Sequence, residues 1–265
     1  MLGQGSYGVV IKASRGKRFY AIKALFNRDD QNPNILPFEL ESEILRSVSH
    51  PRIPGFVGAF SFGEIHYIVQ EFSEGLPLSC LLDSGRRFSE DEVKNIVTQL
   101  LSILRDLHTP PQRENAVVHR DLRLSNLLLK DDELFLIDFG FARFLDLSRN
   151  LSCPDPLENK YKDSNGDGQP LRLLSDLPSR KKIPGAETYR LLRKEISPRS
   201  DLFGAGVVAV DLFTSWVEDE TLFDRPWQEV LPLSEPFVSF LARLLSREDG
   251  FHTAAGALEY LGSIL

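Results

Sequence analysis

Cysteine is scarce in this 265-residue sequence: Cys80 and Cys153 are the only two, at no metal-like spacing and in no cluster with histidine. That leaves no basis for a disulfide framework or a zinc site, and it suits a reducing cytosol. Long apolar runs are missing too. The longest, around residues 204–213, falls well short of the roughly 20 residues that span a bilayer. The opening MLGQGSYGVV lacks the basic start and apolar stretch of a secretory signal. Positive charge is in deficit, with 31 Lys and Arg against 38 Asp and Glu and a formal net charge of −7. This argues against a sequence-independent grip on nucleic-acid phosphates, although one local basic groove remains compatible with it. No internal repeat is present. Together the absences predict a cytoplasmic chain with neither a membrane nor a nucleic-acid partner.

What is there has the pattern of an α+β protein long enough to bury a substantial core. Segments 9–25 and 58–72 carry β-branched and aromatic residues broken by glycine, and read as short strands and hairpins. Between them, 36–49 places Leu40, Ile44, Leu45 and Val48 at helical spacing. Segment 89–108 opens with Ser89 and three acids, a capped start with negative charge at the positive end of the helix dipole. Val93, Ile96, Val97, Leu100, Leu104 and Leu107 continue it as one apolar stripe. Short strands are expected at 117–119 and 127–137, and helices from Asp201 onward. The division predicted is a small β-rich part over 1–72, a hinge near 71–77, and a larger helical part over 73–265. The polar stretch 146–188 is a long loop of the kind that is functional or disordered, expected to be ordered by a modification or a partner.

Four fragments carry chemistry. Gly3, Gly5 and Gly8 form a GxGxxG, whose glycines let backbone amides approach phosphate oxygens. Alone it is a weak signal, and the strand that follows argues against a dinucleotide-binding version, which needs a helix there. Lys23 ends a strand 15 positions after Gly8, within reach of phosphates beneath such a loop. Glu41, on the helix 18 positions further on, is its expected ion-pair partner, with Glu39 and Glu43 as solvated neighbours. The run His119-Arg120-Asp121 followed by Asn126 gives a base-like carboxylate and a neutral metal ligand on one loop. Asp138-Phe139-Gly140, 17 positions after Asp121, offers a magnesium ligand on a flexible turn. Either of these last two fragments alone could be an ordinary turn; together, in this order and 17 positions apart, they could hardly arise by chance.

In these residues, and in Ser200-Asp201 with the glycines that follow, the whole chain resembles the eukaryotic-like protein kinase superfamily. The phrases His50-Pro-Arg-Ile-Pro54 and Ser197-Pro-Arg-Ser-Asp201 are most similar to bacterial serine/threonine protein kinases. The resemblance implies a bilobal fold, with an N-lobe over 1–72 and a C-lobe over 73–265 carrying a long activation segment, 138–190. It implies ATP and Mg2+, and a protein substrate with a serine or threonine hydroxyl. Asp121 would orient the acceptor hydroxyl and take its proton. Asn126 and Asp138 would hold magnesium, while Lys23 and Glu41 position ATP. Arg123 stands where serine/threonine kinases usually carry lysine, and would neutralise the γ-phosphate. Some tyrosine kinases also have arginine there, but Leu124-Ser125-Asn126 lacks their usual residues. Val10 and Ala21 would cover adenine from above and Leu128 from below. Gln70 aligns with the gatekeeper, and Glu71 and Ser73 with hinge positions that bond adenine through backbone groups. Leu45, Phe56, His119 and Phe139 align with the side-chain stack that joins the lobes, and Asp201 with the anchor of the catalytic loop.

The chain also departs from that pattern. An ungapped match to kin of the type APExxRGxxSPRSD puts Thr188-Tyr189-Arg190 on the Ala-Pro-Glu positions; a shifted one would use Ala186-Glu187. The C-terminal arginine that usually pairs with that glutamate is replaced in Phe251-His252-Thr253. Joint loss is physically coherent, because removing one partner alone strands a buried charge at about 3–5 kcal/mol. Residues 163–168 resemble the opening of a calcium loop, but Leu174 stands where a bidentate glutamate is needed and Pro170 lies inside, which favours a solvated turn. Arg120 suggests control by a phosphate on Ser148, Ser152, Ser175, Ser179 or Thr188. The N-terminal start directly at the glycine loop and the 64 positions after Asp201 suggest shortened ends without a sensor or anchor domain. Two other readings are a pseudokinase that docks partners, supported by the altered 188–190, and a kinase of a small-molecule hydroxyl. The intact Lys23, Asp121, Asn126 and Asp138 oppose the first, and Arg120 opposes the second.

Overall fold

The computed structural model describes residues 1–4, 8–26, 35–150, 153, 155, 157, 192–219, 221–222 and 225–265. Its N-terminal part is an antiparallel sheet of β1 (Gly3–Gln4), β2 (Gly8–Arg15), β3 (Arg18–Phe26), β4 (Phe56–Phe62) and β5 (Ile65–Glu71), in the order β1-β2-β3-β5-β4. Gly8 is required where β2 meets β3: a Cβ there would lie 1.9 Å from the Ala24 carbonyl oxygen, a collision with backbone rather than with a movable side chain. One helix, α1 (Ile35–Ser47), packs on this sheet through buried Ile44 and Leu45 and a Phe38 ring stacked on His66 at 4.9 Å. It ends two residues before the expected 49, with the Ser47 hydroxyl bonded to the Ile44 carbonyl.

A three-stranded sheet, β6 (Leu76–Pro77), β8 (Leu127–Lys130) and β9 (Glu133–Leu136), follows in the order β6-β8-β9, and β7 (Val117–Val118) pairs with β10 (Arg143–Phe144). The single run expected over 127–137 is thus a hairpin. Its turn places Asp131 and Asp132 at φ 47° and 62°, a left-handed conformation that aspartate tolerates better than most residues. The Arg52 carbonyl of the His-Pro-Arg-Ile-Pro phrase accepts from the Leu136 amide and so ties this hairpin to the region before β4.

The helical part comprises α2 (Leu78–Asp83), α3 (Glu90–His108), α4 (Pro198–Phe213), α5 (Trp227–Val230), α6 (Glu235–Leu244) and α7 (Ala254–Ser263). Ser89 and Glu92 form the capping box expected at the start of α3, whose apolar stripe packs on α4 and α7. Helix α4 begins three residues before Asp201, with Pro198 in the first turn where its missing N–H costs nothing. It is buried on all sides from Ser200 to Phe213, which is why its sequence shows no polar face. Among the described residues no helix is long and apolar enough to cross a membrane.

Phe251 explains part of the departure at the C-terminus. Its ring is buried against Phe240 and Tyr260, with centroids 5.6 Å away in both cases, and the Arg243 guanidinium lies 4.4 Å above it. Aromatic packing therefore occupies the place of the expected arginine, while Thr253 caps α7 through the Gly256 amide. Segments 186–190 and 163–168, and Ser152, Ser175 and Ser179, lie outside the described residues.

Candidate active site

Lys23 leaves β3 toward two carboxylates. Its Nζ lies 2.7 and 3.0 Å from the Glu41 oxygens and 2.8 Å from Asp138 Oδ1. The register of β2 on β3 puts Val10 opposite Lys23, and that of β3 on β5 puts Ala21 opposite Gln70, whose amide donates to the Pro54 carbonyl. Burial works against the Lys23 ammonium, but the charges of Asp138 and Glu41 outweigh it and hold the lysine above its ordinary range. Burial likewise pushes Asp138 up. The Lys23 charge and hydrogen bond and the Gly140 amide overcome it and bring the carboxyl down to about 2. Burial raises Glu41 against the pull of Lys23. Replacing Lys23 with methionine leaves the buried Glu41 without its cation. We expect nucleotide affinity to fall about 10–100-fold, on the scale of charge-assisted hydrogen bonds, as read by titration with a fluorescent ATP analogue.

The second group sits on the loop between β7 and β8. Asp201 of α4 pins it: Oδ2 accepts from the His119 amide at 2.8 Å and His108 Nε2 at 2.9 Å, and Oδ1 accepts from the Arg120 amide at 2.7 Å. These bonds hold Arg120 at φ 64°, a conformation unfavourable for a side chain with a Cβ by roughly 1–3 kcal/mol. Asp138 shares it at φ 65°. The Asn126 amide nitrogen donates to Asp121 twice, to the carbonyl at 2.9 Å and to Oδ2 at 3.0 Å. Asp121 itself is 6% exposed. Arg123 is half-buried at the start of the 124–126 turn. Leu128 is buried in β8, Val10 and Ala21 are half-buried, Glu71 is exposed and Ser73 half-buried. Gly3 lies in β1 opposite Val10, and Gly5 lies outside the described residues.

Leu45, His119 and Phe139 are buried and Phe56 packs against the same core. The His119 and Phe139 rings meet edge-on at 4.9 Å, and His119 Nε2 donates to the Ile137 carbonyl at 3.2 Å. This contact joins the two polar groups into one assembly.

Two residues escaped the sequence reading. The Arg193 guanidinium reaches Asp121 Oδ1, and Asp155 receives the buried Arg120 guanidinium at 2.6 Å with Arg143 Nη2 at 3.9 Å. The anion that Arg120 meets among the described residues is therefore a carboxylate. Ser148, one of the phosphorylation candidates, is exposed and bonded to Asp146. A signal for Arg193 did exist: the same ungapped match that placed 188–190 also set Arg193 on an arginine of the pattern.

A half-buried lysine paired with a buried glutamate, a carboxylate next to them and an Asp–Asn loop pinned from a buried helix define a phosphotransferase of the protein kinase type. The family description "protein kinase domain" matches residues 1–164, and the chain belongs to that family. A probable serine/threonine-protein kinase, YbdM of Bacillus subtilis (strain 168), is 26% identical over 259 residues, which cover 96% of this chain and 83% of the relative. Serine/threonine-protein kinase 36 of Pongo abelii is 34% identical over 146 residues, 54% of this chain and 11% of the relative. The crystal structure of Rad53 1-466 in complex with AMP-PNP shares the fold, with a TM-score of 0.63 and 22% identity over 97% of this chain and 58% of that chain. The chain thus spans most of the Bacillus relative and less than two thirds of the other two. It is an enzyme of the protein kinase family.

Proposed function

We propose that the chain transfers the γ-phosphoryl group of ATP to a serine or threonine hydroxyl of a protein substrate. The observation that carries this reading is the Lys23–Glu41–Asp138 cluster joined through the His119–Phe139 contact to the Asp121–Asn126 loop. The acceptor oxygen attacks the γ-phosphorus, the bond to the ADP oxygen breaks, and the hydroxyl proton passes to Asp121. Lys23, held by Glu41, binds the phosphates, and Arg123 neutralises the γ-phosphate. Most of the rate comes from positioning and charge stabilisation.

The residues fit a magnesium ion. With its nitrogen committed to Asp121, the Asn126 amide would offer its oxygen as a hard ligand, and Asp138 would supply a carboxylate. Among the described residues no cluster of three or more metal-ligating side chains exists, which suits an ion that takes its remaining ligands from phosphate and water. When bound, it supplies charge neutralisation on the phosphate oxygens.

Val10 and Ala21 would cover the adenine and Leu128 support it. The Glu71 amide is already bonded to the Gly55 carbonyl at 2.8 Å, so the hinge would offer adenine the Glu71 carbonyl and the Ser73 amide. Gly3, Gly5 and Gly8 would lie over the phosphates. On this reading 1–72 and 73–265 are the two lobes, and 138–190 is the activation segment. The scarcity of cysteine, with Cys80 and Cys153 alone in the sequence, agrees with a cytoplasmic site of action.

Purified protein incubated with labelled ATP and Mg2+, with generic protein substrates and small hydroxyl acceptors in parallel, tests the reading. Phosphoserine or phosphothreonine is the expected product. Label confined to phosphotyrosine, or to the small acceptors, overturns it.

A further inference from the structure

The proposed chemistry depends on one carboxylate, that of Asp121, keeping one orientation. Oδ2 is held from within its own loop by Asn126, whereas Oδ1 is met by Arg193, 72 residues further along the chain. We propose that Arg193 is a positioning residue for phosphoryl transfer, fixing the Asp121 carboxylate from the segment that leads into α4. The inference rests on the phosphotransferase reading above and gives Asp121 a partner outside its own loop.

The contact is a fork. Arg193 Nε donates to the Arg120 carbonyl at 2.6 Å while Nη2 reaches Asp121, so one planar guanidinium grips two consecutive residues of the loop. Lysine, a point donor on a flexible stem, cannot span both. Arg120 returns the grip, its Nε donating to the Arg193 carbonyl at 2.6 Å. The two chain segments are therefore clasped by reciprocal bonds, and the position of the guanidinium is set by backbone as well as by side chain. Leu192 adds an apolar anchor, buried with Phe203 and Val207 of α4 and packed against Leu245. Helix α4 also carries Asp201, so the loop is steadied by the same helix along two routes.

Arg193 is 2% exposed, and at such a site its charge acts on the carboxylate with little screening by water. It does not exhaust the acceptor capacity of Asp121. A carboxylate has about four lone-pair sites, leaving a place for the acceptor hydroxyl. The opposite role, a plug that must leave before the substrate binds, makes the opposite prediction.

The test compares Arg193→Gln, Arg193→Lys and Arg193→Ala with the parent, reading kcat, KM for ATP, KM for a protein substrate and the melting temperature. We expect Arg193→Gln to lose about 100-fold in kcat, the scale of a misplaced catalytic group, with KM for ATP unchanged. Arg193→Lys, which keeps the charge and loses the fork, falls in between, and it carries the comparison if the glutamine variant fails to fold. Added guanidinium ion restores part of the activity to Arg193→Ala and none to Asp121→Asn, a readout that a purely architectural role would not move. Unchanged or raised kcat, or a loss matched by an equal loss of ATP binding and not rescued, overturns the role while leaving the phosphotransferase reading in place. A parent protein that transfers phosphate to no acceptor overturns both.

Discussion

On the proposed function, Asp121→Asn is expected to lower kcat by about 10²–10⁴-fold, the range of a lost general base, and to leave nucleotide affinity as it was. The asparagine has the same shape but cannot take a proton from the acceptor. Its effect on orientation compounds the loss. Asp121 receives Arg193 on one oxygen and the Asn126 amide on the other. An asparagine oxygen can satisfy only one of them, and its NH2 then faces the second donor. The proposed nucleotide contacts would be spared because Lys23, Glu41 and Asp138 make no bond to Asp121 among those described. Single-turnover transfer measured beside ATP titration separates the two quantities. Parallel loss of transfer and binding would show instead that the loop had collapsed.

Asp201→Asn is expected to destabilise the protein by about 2–5 kcal/mol, with activity falling alongside. Fully buried, Asp201 accepts from two backbone amides and from His108, and an asparagine would turn a donor toward at least one of them. The pH dependence follows from the direction of its shift. Burial raises Asp201, but the His108 hydrogen bond and charge, with the Arg120 amide, outweigh it and hold the carboxyl below its ordinary value. A carboxyl depressed in the folded state contributes stability that is complete above its unfolded pKa and is lost as pH falls through the folded one. Urea midpoints measured from neutral pH downward should therefore decline less steeply for Asp201→Asn than for the parent at the acid end. Equal slopes would remove Asp201 from the acid sensitivity. Loss of the anchor also frees Arg120 from its left-handed conformation, so the loop relaxes even where the fold survives.

The parts of the site legible from sequence are those whose spacing encodes an element. Lys23 was readable because it lies on a strand after the glycine loop, although β3 runs on past it to Phe26, and Glu41 because helical periodicity in 36–49 turned one face to the sheet; their pairing needs only those two elements to pack. The capping box at Ser89 and Glu92 is local in the same way. Asp121 and Arg193 were a different matter. Their contact joins two irregular segments through the packing of α4, and no periodicity reports on it. Asp155 was hidden for another reason: it stands in a polar stretch where many side chains could have reached Arg120, and sequence carries no measure of which one does. The left-handed Arg120 and Asp138 were equally invisible, since nothing local marks a residue with a Cβ for positive φ. Phe251 was read only as a missing charge; what replaced it, a ring cluster under Arg243, depended on α6 and α7 converging.

Asp155 has a further consequence. The negative charge beside Arg120 and Arg143 is written into the gene and arrives with translation. No second enzyme has to install it, and no phosphatase can take it away.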